Sequence, residues 1–471
     1  ALMAMKLCAL PAGEETASGE PGTTRQALIL LGLAALAGTL TWGPYTHLHG
    51  GWDPGEYICT AMNIARTGSL AIEDDLVASL DSDTRKALMH ERQGNRRTLQ
   101  AGFLVRNETK GVLTPDYFHL YPAWMAIFSA AGGLEFTYWG HWTITILAAL
   151  MFFLAVSELF SPRTALVASV MLILGPTQIY FGQFTTSEML ARLFIFAGFY
   201  WLSRSLKRPS LMPDLLAGLS LGMGFLAHST TVLPIAGAGL FLLCHAAWYR
   251  RWASFRTLVV AAACIGLALV RTTLHAPTMI RFLISFILEH PWIILPAGLG
   301  AGAGLGLLVL CRRGLSRQTI GGSWVAASRW VPGVLVCTAL LYGYFIRPRY
   351  TPGLDALNVR LLGDLICPLT LVLAGLFFLR KRWSEWDAGQ ALFVSASVVT
   401  CAVLLTYRLA HPLLMWSLRR YVSLVVPFFV TIAAIPLAEL LGARKKSIQS
   451  IGIVGLIVIL PYLGWRSWPA W

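Results

Sequence analysis

Gly50-Gly51-Trp52-Asp53-Pro54-Gly55-Glu56-Tyr57 follows the first long apolar run and opens the one long polar segment of the chain. The run before it, Gln26 to Tyr45, has the length that a helix needs to cross a bilayer, about 20 residues. Two carboxylates, Asp53 and Glu56, therefore sit just past the end of a predicted membrane span. Working outward, the 471 residues are 56% hydrophobic and only 13% charged, whereas a soluble domain carries about a quarter charged residues. Apolar runs of span length recur to the C-terminal end, with starts near Thr137, Thr164, Thr185, Leu211, Thr230, Phe255, Phe282, Val331, Gly363, Ala388, Tyr421 and Ile448. The predicted class is an all-α polytopic membrane protein with about 11–14 transmembrane helices. Its first outer loop, 47–117, is long and carries interfacial helices.

The net charge of +14 does not point to nucleic acid, because Lys and Arg gather at the ends of apolar runs and no nucleic-acid-binding motif accompanies them. Arg163, then Arg204, Lys207 and Arg208, then Arg250, Arg251 and Arg256 fall at alternate turns. Arg312, Arg313 and Arg317, then Arg380, Lys381 and Arg382, then Arg444, Lys445 and Lys446 continue the series. The positive-inside rule places these turns in the cytoplasm. Residues 1–25 then form a disordered cytoplasmic tail ahead of a domain that fills 26–471. The first span, rather than a signal peptide, directs insertion. Eight arginines break the pattern on the outer side: Arg271, Arg281, Arg347, Arg349, Arg360, Arg408, Arg419 and Arg420. Some snorkel to headgroups; two or three suit a phosphate site, because the planar guanidinium fork binds phosphate oxygens in pairs.

Within the loop, Asp53 to Arg66 reads as a helix with Pro54 at its first position and Gly68 past its end. Ile58, Met62 and Ala65 give it one apolar face, so it can lie flat on the membrane. Glu73 to Glu91 reads as a second, more polar helix, and Gln93 to Lys110 as an exposed excursion. Pro115-Asp116-Tyr117-Phe118-His119 leads back into apolar sequence.

Each chemical reading competes with a plainer one. Asp53 and Glu56 have the spacing of a capping box; at a membrane face the same carboxylates can accept a proton from an attacking group. Asp116 and His119 share a helical face, either solvated among interfacial aromatics or turned to the same outer site. Glu188 begins an apolar run after Thr185-Thr186-Ser187, either as the acid of another cap or as a functional acid at a span's edge. His228 lies at a similar outer end. Arg419-Arg420-Tyr421 precedes the span that holds Pro427, and either anchors it to headgroups or captures a phosphate. Arg347 belongs to the same outer set. There is no Walker motif, GxSxG, HExxH or CxxC.

In their order, these pieces resemble the GT-C superfamily of membrane glycosyltransferases, in the branch of protein O-mannosyltransferases and the lipid A aminoarabinose transferase. The matching pieces are Trp52-Asp53-Pro54-Gly55-Glu56-Tyr57 with the helix end at Ala61 to Gly68, Tyr121-Pro122, Thr185 to Glu188, and Arg420-Tyr421 with Pro427. The resemblance implies a sugar donor carried on a polyprenyl or dolichyl phosphate, with inverting transfer at the outer membrane face. By position it makes Asp53 the acceptor-side base, Glu56 the accompanying acid and Arg420 the basic residue near the donor phosphate. Many members have the two acids adjacent; here they are three apart. The acceptor stays open among glycan, lipid and protein. A divalent cation (Mg or Mn) held by Asp53, Glu56 and His119 is an open alternative, and no other cofactor is expected. The expected location is a bacterial inner membrane with the site facing the periplasm. The competing class is a transporter or lipid flippase, which predicts charges near mid-span and internal repeats; here the charges cluster at span ends.

Overall fold

The computed structural model describes residues 21–43, 45, 53–92, 96–99, 102–249, 255–275, 280–281, 284–285, 288, 331–351, 353–380, 386–407 and 418–468. The chain is an all-α polytopic membrane protein, to which the first loop adds a small sheet. Helix α1 (Pro21–Leu40) comes first, and α2 (Asp53–Thr67) follows as a helix where one was expected, with Ile58 of its predicted membrane face buried against the bundle instead. The predicted tail of 1–25 and the predicted span from Phe282 to Cys311 lie largely outside the described residues.

The rest of the loop departs from expectation. The stretch read as one helix, Glu73 to Glu91, is strand β1 (Ile72–Glu73), two short helices, α3 (Asp75–Ser79) and α4 (Ser82–Leu88), and then strand β2 (Met89–Arg92). Two aspartates cause the interruption, because each caps a fresh helix start. Asp74 Oδ1 accepts from the Val77 N–H at 3.0 Å, and Asp81 Oδ1 accepts from the N–H groups of Asp83 and Thr84 at 2.9 and 3.0 Å. The stretch read as an excursion supplies β3 (Arg96–Leu99) and β4 (Phe103–Asn107), and β5 (Val112–Pro115) completes an antiparallel sheet of order β1-β5-β4-β3-β2. Val77, Met89, Phe103 and Leu113 form its own small core. Arg106 on β4 ties the sheet to the helices. Its guanidinium donates to the carbonyls of Leu274 and His275, at 3.0 and 2.8 Å, at the end of a bundle helix.

The bundle follows. Helix α5 (Leu120–Leu159) is broken at Gly132 and Gly133, the latter at φ 73°. Helices α6 (Pro162–Ile173) and α7 (Pro176–Gln183) form one pair bent by 62°. Then come α8 (Glu188–Lys207), α9 (Leu211–Ala227), α10 (Val232–Tyr249) and α11 (Phe255–His275). After α12 (Val331–Leu341), α13 (Arg347–Tyr350) leads to α14 (Asn358–Ile366) and α15 (Pro368–Arg380), a second pair bent by 103°. Helices α16 (Ala388–Tyr407), α17 (Arg419–Val422), α18 (Val425–Leu441) and α19 (Lys446–Ser467) complete the chain. Among the described residues, five helices are long and apolar enough to cross a membrane, or up to seven if each bent pair is one span.

Aromatic side chains run through the buried core. Phe152 meets Phe196 at 4.9 Å between ring centroids, Phe199 meets Phe393 at 5.5 Å, and Phe393 meets Phe428 at 5.9 Å. The two ends of the bundle differ chemically. At one end Lys207 bonds to Glu158 at 2.9 Å and Arg380 pairs with Glu439 at 3.3 Å. The other end carries the first loop, Glu188 and His228.

Candidate active site at one end of the bundle

Asp53 opens α2, and its carboxylate is not spent on a cap: it forms an ion pair with Arg419. The Arg419 guanidinium also reaches Glu188, with Nε 3.8 Å from Oε1. His228 approaches the same oxygen with Nε2 at 3.4 Å. Four residues that are distant in sequence thus form one chain of charge, Asp53–Arg419–Glu188–His228. Glu188 is buried, whereas the Asp53 side chain is 33% exposed, so the cluster opens on the Asp53 side.

Local geometry fixes each member. His228 follows α9, where its Nδ1 accepts from the Thr230 N–H at 3.2 Å. In the neutral ring the proton then resides on Nε2, the atom that faces Glu188. Glu188 begins α8, and the preceding turn, Thr185 to Ser187, is fully buried. Tyr57, one turn along α2 from Asp53, packs edge-on against Tyr117 at 4.6 Å and Tyr121 at 5.0 Å. Burial raises its phenol well above the usual value, and the charges of Asp53 and Glu188 raise it further. Tyr57 therefore stays a neutral hydrogen-bonding group beside the acids. The Tyr117 hydroxyl donates to the Glu56 carbonyl at 2.7 Å, which fastens the start of α2 to the return of the loop.

The other expected residues separate into distinct places. Glu56 does not reach back as the acid of a capping box. It is buried against Gly102, where a β-carbon would collide with its carboxylate. The Asp116 N–H donates to the Gly102 carbonyl at 2.8 Å, so Asp116 joins the sheet beside Glu56. His119 is buried near Tyr117 and His275, with ring centroids at 6.4 and 6.2 Å. Desolvation lowers its pKa to about 4, with Arg271 and His275 acting in the same direction. Arg347 donates to the carbonyls of Leu405 and Thr406, at 3.1 and 2.9 Å, and so caps the end of α16. Tyr421 is buried, with its hydroxyl donating to the Leu404 carbonyl at 3.4 Å. Arg420 is half-buried next to Arg419. Among the described residues no three His, Cys, Asp or Glu converge on a metal position.

One buried cation escaped the reading of the sequence. Arg192 lies one turn beyond Glu188 on α8, with no exposure at all. The signal was available, since an ionisable side chain inside an apolar run deserves a functional reading by default.

Comparison with known proteins bears on the fold. The sequence pattern of the dolichyl-phosphate-mannose-protein mannosyltransferases matches residues 115–275, which covers the return of the loop and helices α5 to α11. The oligosaccharyltransferase of Archaeoglobus fulgidus superposes with a TM-score of 0.56 at 12% identity, over 94% of this chain and 56% of that chain. The chain has the GT-C fold. The archaeal GT-C oligosaccharyltransferase AglB from the same organism, in complex with an inhibitory peptide and a dolichol-phosphate, superposes with a TM-score of 0.55 at 13% identity, over 95% of this chain and 56% of that chain. This chain thus spans little more than half the length of these two oligosaccharyltransferase structures. No curated protein sequence matches it at a significant level.

Proposed function

We propose that the protein is an integral-membrane glycosyltransferase that moves a sugar from a polyprenyl-phosphate carrier to an acceptor at the outer membrane face, with inversion. The observation that carries this reading is the Asp53–Arg419–Glu188–His228 cluster. It joins the first loop to a late arginine at one end of a GT-C bundle. AglB has been captured with a dolichol-phosphate, which supports a lipid phosphate as the donor's leaving group.

The chemistry needs few parts. A sugar on a lipid phosphate is already activated. A base accepts the proton of the acceptor hydroxyl or amine as its oxygen or nitrogen bonds to the anomeric carbon. The bond from that carbon to the phosphate oxygen breaks, and the phosphate leaves on its lipid. A cation fixed in a water-poor site stabilises the charge that develops there. Arg419 is that cation, with Arg420 beside it, and Asp53 is the base. Their ion pair is a resting arrangement: a phosphate that takes the Arg419 fork leaves the Asp53 carboxylate to the acceptor. Attack from the Asp53 side, opposite the departing phosphate, inverts the anomeric carbon. Glu188, backed by His228, holds Arg419 in place throughout. The buried turn before Glu188 offers polar groups to sugar hydroxyls: among the described residues, Gln183 Oε1 and Thr185 Oγ1 have no hydrogen-bond partner.

The test supplies purified protein with a labelled polyprenyl-phosphate sugar and a membrane extract, beside Asp53→Asn. Transfer by the wild type and its loss in the variant support the reading. Equal transfer by both removes Asp53 from the mechanism. Failure of the wild type with every such donor, together with gradient-driven uptake of a solute, makes the protein a transporter.

A further inference from the structure

Arg192 has a geometry that burial alone does not explain. Its Nε and Nη2 both donate to the carbonyl of Val422, at 2.9 and 2.6 Å. Its Nη1 donates to Gln178 Oε1. Among the described residues no carboxylate pairs with it. A guanidinium with no exposure is costly to bury unless its donors are met, and here three of its five N–H groups are directed at two neutral oxygens. Val422 is the last residue of α17, the four-residue helix that begins with Arg419. A helix that short has no stability of its own, so outside contacts set its position.

Two rungs join α8 to α17. Glu188 and Arg192, four apart, share one face of α8. Glu188 faces the Arg419 guanidinium, and Arg192 grips the backbone at the far end of the same short helix. Gln178 on α7 steadies Arg192 from a third side. The first rung is a contact between two side chains. The second fixes backbone, and a rigid fork on one carbonyl allows little sliding.

We propose that Arg192 is a positioning residue that sets where Arg419 stands between Asp53 and Glu188. This rests on the transferase reading for its catalytic consequence, but not for its structural one. Arg192→Lys keeps the charge and one bond to Val422 while losing the fork and the link to Gln178. A displacement of about 1 Å at a reacting group costs on the order of 100-fold in rate.

The test combines two measurements on the full chain in detergent. Hydrogen exchange over 418–424 should accelerate at least threefold in Arg192→Lys, with the melting temperature and the exchange of α18 retained. In the transfer assay, Arg192→Lys should lower kcat ~10-fold to ~100-fold and change the donor KM by less than threefold. In an Arg419→Ala background, Arg192→Lys should change the rate by less than twofold, because a residue that acts through Arg419 has nothing left to position. Unchanged exchange over 418–424, or an equal loss of rate in both backgrounds, overturns the proposal. If the wild type transfers no sugar from any polyprenyl phosphate, the transferase reading falls by itself. The exchange measurement alone then decides the placement of α17 by Arg192.

Discussion

Asp53 and Arg419, 366 positions apart in the chain, form an ion pair. One belongs to the first loop and the other to α17, the short helix just before α18. Arg419 is the hub, since it also faces Glu188. Charge deletion at either end of the pair should therefore be expensive. Asp53→Asn should lower transfer from a labelled polyprenyl-phosphate sugar by 10²-fold to 10⁴-fold, the range for losing a general base. Arg419→Lys keeps a cation but not the fork, so it should fall between wild type and Arg419→Ala.

Glu188 has two partners, Arg419 and His228, and is itself buried. Removing one member of a buried pair costs on the order of 3–5 kcal/mol, because the remaining charge is stranded. Glu188→Ala should lower the melting temperature in detergent as well as the transfer rate. Glu188→Gln, which keeps the shape and an acceptor oxygen, should recover most of the stability and little of the rate. If Glu188→Ala melts like the wild type, the ion-pair chain is not holding this end of the bundle together.

Glu56 lies against Gly102. Gly102→Ala places a methyl group where the carboxylate stands, and overpacking of this kind costs typically about 1–3 kcal/mol. The double variant Gly102→Ala with Glu56→Ala should regain stability over Gly102→Ala alone, as measured by thermal unfolding. Additive losses would show that the two residues do not share the space.

Acid should loosen the docking of the loop. His119 is buried as the neutral ring with a pKa of about 4, against about 6.5 for an exposed imidazole. Between these values the unfolded chain binds the extra proton and the folded chain does not, so stability rises with pH across that window. The contribution is fully present above about pH 6.5 and is lost as the pH falls toward 4, on the order of 3 kcal/mol at most. The melting temperature should drop between pH 7 and pH 4.5, and His119→Phe should flatten that slope. A slope unchanged by the substitution assigns the acid sensitivity elsewhere.

The polytopic class, the helix starting at Asp53 and the shared end of Asp53, Glu188, His228 and Arg419 were legible in the sequence, because span-length apolar runs and charge at their ends are one-dimensional signals. The sheet was not. Its strands are two to five residues long and mostly polar outside Phe103, Leu104, Val105 and Leu113, so neither length nor alternation stands out. One signal was overlooked. Asn107-Glu108-Thr109-Lys110-Gly111 between two apolar runs is a hairpin turn. Gly111 sits at φ 60°, and Asn107 Oδ1 accepts from the Lys110 N–H at 3.0 Å. For Arg347, charge placement gives the end of the bundle and not the partner: its fork donates to the carbonyls of Leu405 and Thr406 at the end of α16. No local pattern could show that Glu56 would turn to Gly102, because that contact depends on the fold of the sheet.

The distance in sequence between the two halves of the Asp53–Arg419 pair has a consequence for biosynthesis. The ribosome makes the acid 366 positions before its cation, with helices α2 to α16 in between. A chain stopped anywhere before Arg419 carries the acids and no cation to complete the cluster. Docking of the first loop on the bundle through this pair therefore waits for the segment that carries Arg419.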